Sequence, residues 1–168
     1  EVLGEKGFVS LAEWPQYDES KIDPEAEASE RCIENTVKDI RAVFELVKIQ
    51  PKKVKLFVAE NWKYAYVKKL KEELENTRDV GEMLKALMAS DLKAYGQEIT
   101  KLTPKFVNDP SKLPETVLSQ ELELNRLEES KESLKEELGC DIDIQLTEDS
   151  NEPKSKQSLP GKPAILVE

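Results

Sequence analysis

Lys53-Val54-Lys55-Leu56-Phe57-Val58-Ala59, followed at once by Glu60-Asn61-Trp62-Lys63-Tyr64-Ala65-Tyr66, decides the fold class of this 168-residue chain. In the first half Val54, Leu56 and Val58 alternate with Lys53, Lys55 and Phe57, the two-residue period of a strand with two unlike faces. In the second half the period changes. Trp62, Tyr66, Leu70 and Leu74 recur at four-residue steps, one stripe of a helix, with Asn61 as its expected cap. A strand that runs straight into a helix sets a mixed fold.

Reading back toward the start, Asp23-Pro24 is a helix opening, an acid at the cap position followed by proline at the first turn. Ile33, Val37, Ile40, Phe44 and Val47 then form one stripe of a long helix expected from Pro24 to about Ile49, stopped by Pro51. Residues 1–22 hold glycines, Pro15, several acids and a short apolar patch at Phe8, Val9 and Leu11, and read as a linker.

Reading forward, a short third helix is expected from Thr77 to Ala89. A fourth, capped by Ser90, carries Leu92, Tyr95, Ile99 and Leu102. Pro104, Pro110 and Pro114 mark the next stretch as loop. Ser119 to Leu138 is an acidic helix with Leu124, Leu127, Leu134 and Leu138 on one edge and Gly139 placed to end it. Ile142, Ile144 and Leu146 alternate through a second strand at 140–147. Residues 148–162, rich in Ser, Lys and Pro, are expected to be a mobile loop, and Ala164 to Glu168 form a short strand or tail. The expected class is α+β or irregular α/β, mostly helical, with a small three-stranded sheet and about five helices. The main domain spans 23–147, followed by the 148–162 loop and a 163–168 tail.

Composition removes much chemistry. There is no histidine, so Ser-His-Asp triads, Cys-His pairs and histidine metal sites are excluded within this sequence. Two cysteines, Cys32 and Cys140, are too few for a histidine-free zinc site and read as small buried apolar side chains. No metal site, glycine-rich phosphate loop or singled-out acid pair appears. No run of about 18 apolar residues is present, and no basic-then-apolar leader opens the sequence, so a cytoplasmic location is expected.

Net charge is −10, which on its own argues against a polyanionic partner. The distribution argues the other way. Between Lys48 and Lys71 eight lysines face a single acid, Glu60, so this stretch is +7 and the remainder −17. Such an island is a prompt to look for an anionic ligand, although lysines also simply solvate strand and helix edges. Within it Trp62, Tyr64 and Tyr66 interleave with Lys63, Lys68 and Lys69, a pairing of stacking and phosphate-binding groups. Trp62 and Tyr66 fall on the helix's core stripe; Tyr64 lies off it and is expected at the surface. In the acidic helix the charges read as a solvated face.

Four stretches, in this order, carry a family resemblance. Gly-Phe-Val-Ser-Leu-Ala-Glu-Trp-Pro (7–15) resembles the segment leaving the anticodon-binding helix bundle of the leucine, isoleucine and valine class I aminoacyl-tRNA synthetases. Val-Lys-Asp-Ile-Arg (37–41), Val-Ala-Glu-Asn-Trp-Lys (58–63) and the terminal Gly-Lys-Pro-Ala-Ile-Leu-Val-Glu (161–168) follow. The whole resembles the C-terminal region of archaeal-type leucyl-tRNA synthetases. That resemblance implies a parent enzyme that uses ATP to ligate leucine to its tRNA, with the catalytic His-Ile-Gly-His and Lys-Met-Ser-Lys-Ser signatures and the editing domain lying elsewhere. No cofactor is expected here. It also implies contact with the long variable arm of leucine tRNA, the rest of the synthetase chain being the other partner. The tail residues at stake are Lys162, Pro163, Ile165, Leu166, Val167 and Glu168. Lys52, Lys53, Lys55, Lys63, Tyr64, Lys68 and Lys69 would position the RNA without reading its sequence. The competing expectation is an acidic protein-interaction module with no RNA specificity, docking through 119–138 and the 1–22 leader.

Overall fold

The computed structural model describes residues 23–48 and 51–168, so the expected 1–22 linker lies outside the described residues. Helix α1, Pro24–Val47, opens as read: the Asp23 carboxylate accepts from the amides of Glu25 (2.9 Å) and Ala26 (3.3 Å), with Pro24 in the first turn. It closes on Lys48 in the left-handed region (φ 52°), whose amide donates to the Phe44 carbonyl. Val37 and Ile40 are buried and Ile33 and Phe44 partly so, but the last turn is not covered: Leu46 and Val47 are exposed.

Strand β1, Lys53–Val58, is the centre of a three-stranded sheet in the order β2-β1-β3. Strand β2, Asp141–Leu146, lies parallel to it and strand β3, Ala164–Val167, antiparallel. A parallel neighbour needs a long crossover, and four helices supply it. Three of these pack on one another: α2, Asn61–Asn76, α3, Val80–Met88, and α4, Gly96–Asn108. The fourth, α5, Gln120–Leu138, runs back to the sheet; the Ser119 hydroxyl caps it by accepting from the Leu122 amide, and Gly139 ends it at φ 66°.

Two apolar cores result. Val54, Leu56, Val58, Ile142, Ile144 and Ile165 line one face of the sheet and meet Val37 and Ile40 of α1 and Leu127, Leu134 and Leu138 of α5. The second core joins Tyr66, Leu70, Met83, Leu87, Ile99 and Phe106 from α2, α3 and α4. Helix α2 stands between them and is covered on two sides.

Three local expectations are corrected. Asn61 does not cap α2; it is the first helical residue, and the cap position is Glu60, which makes no side-chain cap bond. Ser90 does not cap α4 either. Its hydroxyl donates to the Leu87 carbonyl (2.6 Å), and a 3-10 turn, Asp91–Tyr95, precedes the helix. There the Gly96 backbone comes so near Met88 that a Cβ would meet its Cε at 3.1 Å. Third, the loop expected from Pro104 begins later, because Pro104 lies inside α4. An interior proline costs a helix about 3 kcal/mol, but breaking α4 there would expose Phe106, which is 3% accessible and seated in the second core.

The segment expected to be a mobile loop, 148–162, is irregular but fastened. Thr147 donates to the Val58 carbonyl (2.7 Å) and lies 2.9 Å from the Ser158 hydroxyl, and Ser155 and Ser158 are buried.

Candidate nucleic-acid interface

The tail residues are not a free end. Beyond the fastened loop, Leu159 and Lys162 exchange reciprocal backbone bonds (3.0 and 2.8 Å) around Pro160-Gly161. Proline followed by a residue at positive φ, here Gly161 at 72°, is the requirement of a type II turn. Pro163 follows, and Ala164–Val167 then pair with Phe57–Val54 of β1.

The register decides which backbone groups remain open. Lys53 and Glu168 exchange both backbone bonds, Glu168 N–H to Lys53 C=O (2.9 Å) and Lys53 N–H to Glu168 C=O (3.2 Å). In an antiparallel pair such doubly bonded positions alternate with unbonded ones. Leu166 and Ala164 therefore face β1, while the N–H and C=O of Ile165 and Val167 point away from it. Beyond them is no further strand among the described residues.

Side chains sort differently. Ile165 is buried in the sheet core and Val167 packs against it; Pro163 and Ala164 are also buried. Leu166 is half-buried on the opposite face, and Lys162 and Glu168 are exposed. Glu168 is engaged within the chain: its side chain lies 2.5 Å from Lys55 Nζ, and its backbone carbonyl accepts from the Lys52 (3.0 Å) and Lys53 amides.

The lysine island does not act as one surface. Lys63 is a correction: at 1% accessible, its Nζ donates to the carbonyls of Lys156 (2.7 Å) and Ser158 (3.0 Å), fastening the loop, and burial pushes its pKa below the ordinary lysine value. Tyr64 is another. Expected at the surface, it is buried against the sheet core, its hydroxyl donating to Glu123 Oε2 (2.9 Å). Lys53 is paired with Asp143 (2.9 Å) and Lys71 donates to the Pro114 and Glu115 carbonyls. Lys52 and Lys68 are exposed and Lys69 half-exposed, with no ion pair among the described residues. Lys52 sits beside the end of β3, whereas Lys68 and Lys69 lie on α2.

Sequence reasoning missed a groove of about 460 Å³ between α1 and β3. Asp39, Val43 and Leu46 form one wall, and Pro163, Ala164 and Ile165 the other. Lys112, Lys154 and Lys162 also line it; Lys162 reaches Asp39 at 3.4 Å. A signal for it was available. From Pro153 to Val167 the sequence contains no acid and three lysines, a second cationic stretch within an acidic chain.

Glu123 joins these parts from below. It is fully buried on the first turns of α5, and its Oε2 accepts from both Tyr64 and the Gly161 amide (2.8 Å); Oε1 has no partner among the described residues. Desolvation pushes its carboxyl up to about 7. The two cysteines are free, buried thiols; burial pushes Cys32 up to about 12. No group of three potential metal-binding side chains occurs among the described residues, and none of their helices is long and apolar enough to cross a membrane.

No family model matches the chain. Curated relatives do. The leucine–tRNA ligase of Methanocaldococcus jannaschii is 36% identical over 169 residues, covering all of the chain and 17% of the relative. That of Methanosarcina barkeri is 34% identical over 178 residues (all of the chain, 18% of the relative), and that of Pyrococcus horikoshii 34% over 170 (all of the chain, 17% of the relative). The chain thus spans about a sixth of the length of the curated relatives it matches.

Proposed function

From the premise that this chain is homologous along its whole length to one region of the archaeal leucine–tRNA ligases, we propose that it is their C-terminal tRNA-binding module, gripping the long variable arm of leucine tRNA. The observation that carries the reading is the outer edge of β3, on which no further strand pairs among the described residues. The bases at the tip of an RNA arm are unpaired, so their edges are free to bond. The outward N–H and C=O of Ile165 and Val167 offer a donor and acceptor at each of two positions along a fixed line. A rigid strand presents them without the ordering cost of a loose tail.

Reading by this edge differs from reading by Glu168, whose side chain is paired with Lys55 and whose carbonyl accepts from the Lys52 and Lys53 amides. The cations beside the edge, Lys112, Lys154 and Lys162 at the groove and Lys52 at the strand's far end, would meet phosphates and set the on-rate. Lys68 and Lys69 would widen that footprint along α2. Lys63 and Tyr64 belong to the packing that holds the module together. ATP use and ligation would be the work of other parts of the longer enzyme, in the cytoplasm.

The acidic helix gains no support as a docking face. Arg126, Lys131 and Lys135 each pair with a glutamate on α5 itself, as a solvated helix does.

Binding of leucine tRNA by the ligase carrying this region, with the variable arm intact and with it removed, tests the proposal. Weaker binding without the arm, abolished as a difference when β3 is altered, is the expected outcome; equal affinity for both RNAs contradicts it.

A further inference from the structure

We propose that Glu123 is a positioning residue for the RNA-facing edge: its buried carboxylate, held by the Tyr64 hydroxyl, fixes the Pro160-Gly161 turn and so sets where Ile165 and Val167 stand. The inference deepens the variable-arm reading and rests on it.

The geometry is specific. A type II turn bonds through its outer residues, here Leu159 and Lys162, and leaves the amide of its third residue without a partner. That amide is Gly161 N–H, and Glu123 Oε2 accepts it at 2.8 Å. The same oxygen accepts from Tyr64 at 2.9 Å, so one atom ties α2, α5 and the turn together. Only Lys162 and Pro163 separate the turn from β3, and Pro163 is itself buried. A shift of the turn is therefore transmitted to Ala164 with little slack.

The chemistry is costly in any other role. A carboxyl group out of water is unfavourable unless its bonds are needed, and Glu123 is fully buried with Oε1 unpartnered. No cation among the described residues offsets it. The titratable groups that face this cluster are Tyr64 from α2, Cys32 from α1 and Glu148 from the turn after β2. An apolar residue would fill the space more cheaply and leave Gly161 N–H without an acceptor. What Glu123 contributes is direction: it aims the turn.

The test uses the full-length ligase that carries this region. Glu123→Ala should speed exchange of the Gly161 amide about tenfold or more while the Leu56 and Ile142 amides keep their protection. It should raise KM for leucine tRNA about fivefold with kcat within twofold, the pattern of lost binding rather than lost chemistry. Glu123→Gln, which keeps an acceptor oxygen, should restore most of both. Should the alanine variant fail to fold, Tyr64→Phe removes only the hydroxyl and should shift the same readouts in the same direction. Unchanged Gly161 exchange, or no rescue by glutamine, overturns the proposal. Faster Gly161 exchange with unchanged KM overturns the RNA role alone: the turn contact stands, and the variable-arm reading is what fails.

Discussion

The Lys55 ammonium lies 2.5 Å from the Glu168 side-chain carboxylate, one diagonal step across the β1–β3 ladder. The contact ties the last residue to the central strand, and the carboxylate raises the lysine's pKa by holding its charged form. Lys55→Glu should turn attraction into repulsion. The Glu168 amide, bonded to Lys53, should exchange faster, while Leu56 and Ile144 remain protected. Unaltered exchange at Glu168 would mean that the backbone bonds alone hold the strand end.

Lys63 and Lys52 should part company under mutation although both belong to the lysine island. Lys63→Met leaves the Lys156 and Ser158 carbonyls without their donor and should cost ~2–4 kcal/mol of stability in urea unfolding. Replacing Lys52, Lys68 or Lys69 by Gln should change stability by less than about 0.5 kcal/mol. Each should lower the salt dependence of tRNA binding by about one unit of slope if it meets a phosphate. Equal stability losses at both kinds of site would contradict the division.

Stability should also carry a pH signature from Glu123. Its carboxyl is pushed from 4.5 up to about 7, so the folded chain binds that proton more tightly than the unfolded chain. The contribution is complete below about pH 4.5 and is lost as pH rises through about 7, a difference of ~3 kcal/mol. Glu123→Gln has no proton to lose. Relative to the unmodified chain it should gain about that much stability between pH 5 and pH 8, measured by denaturant unfolding. A stability difference that stays constant across that range would show that the carboxylate is not held in the desolvated state the structure gives it.

Much of this was legible in order and period. The change from alternation to four-residue spacing at Ala59, the Asp23-Pro24 opening and the Gly139 stop all reflect local chemistry, and they hold. What failed depended on partners far along the chain. Tyr64 lies off the stripe of Trp62 and Tyr66, but α2 is covered by two cores, so a second face is also inside. Lys63 is buried because carbonyls more than 90 residues away receive its protons, which no window of α2 reveals. Pro104 follows the same logic, since Phe106 keeps α4 helical past it. The strand at 164–167 could be read, but not its place at the edge of the sheet, which depends on pairing with β1 more than 100 residues earlier.

That placement also changes how the tail should be probed. Removing residues 164–168 would strip a paired strand and Ile165 from the core, mixing folding with recognition. Val167→Pro is cleaner. It deletes an N–H that faces away from β1, and an edge strand tolerates proline where the donor points outward. The variant should keep its unfolding midpoint within a few degrees yet lose about tenfold in affinity for leucine tRNA, equal to ~1.4 kcal/mol. A tRNA without the long arm should bind it as before. Equal losses for the two RNAs would place the defect in the fold.

The most direct measurement is amide exchange at Ile165 and Val167 with and without leucine tRNA. In the free chain these two N–H groups, directed away from β1, should exchange quickly beside protected Leu166. Saturating leucine tRNA with its variable arm should slow both, and the same tRNA without the arm should not. If bound RNA leaves both exchange rates unchanged, the β3 edge does not read the arm.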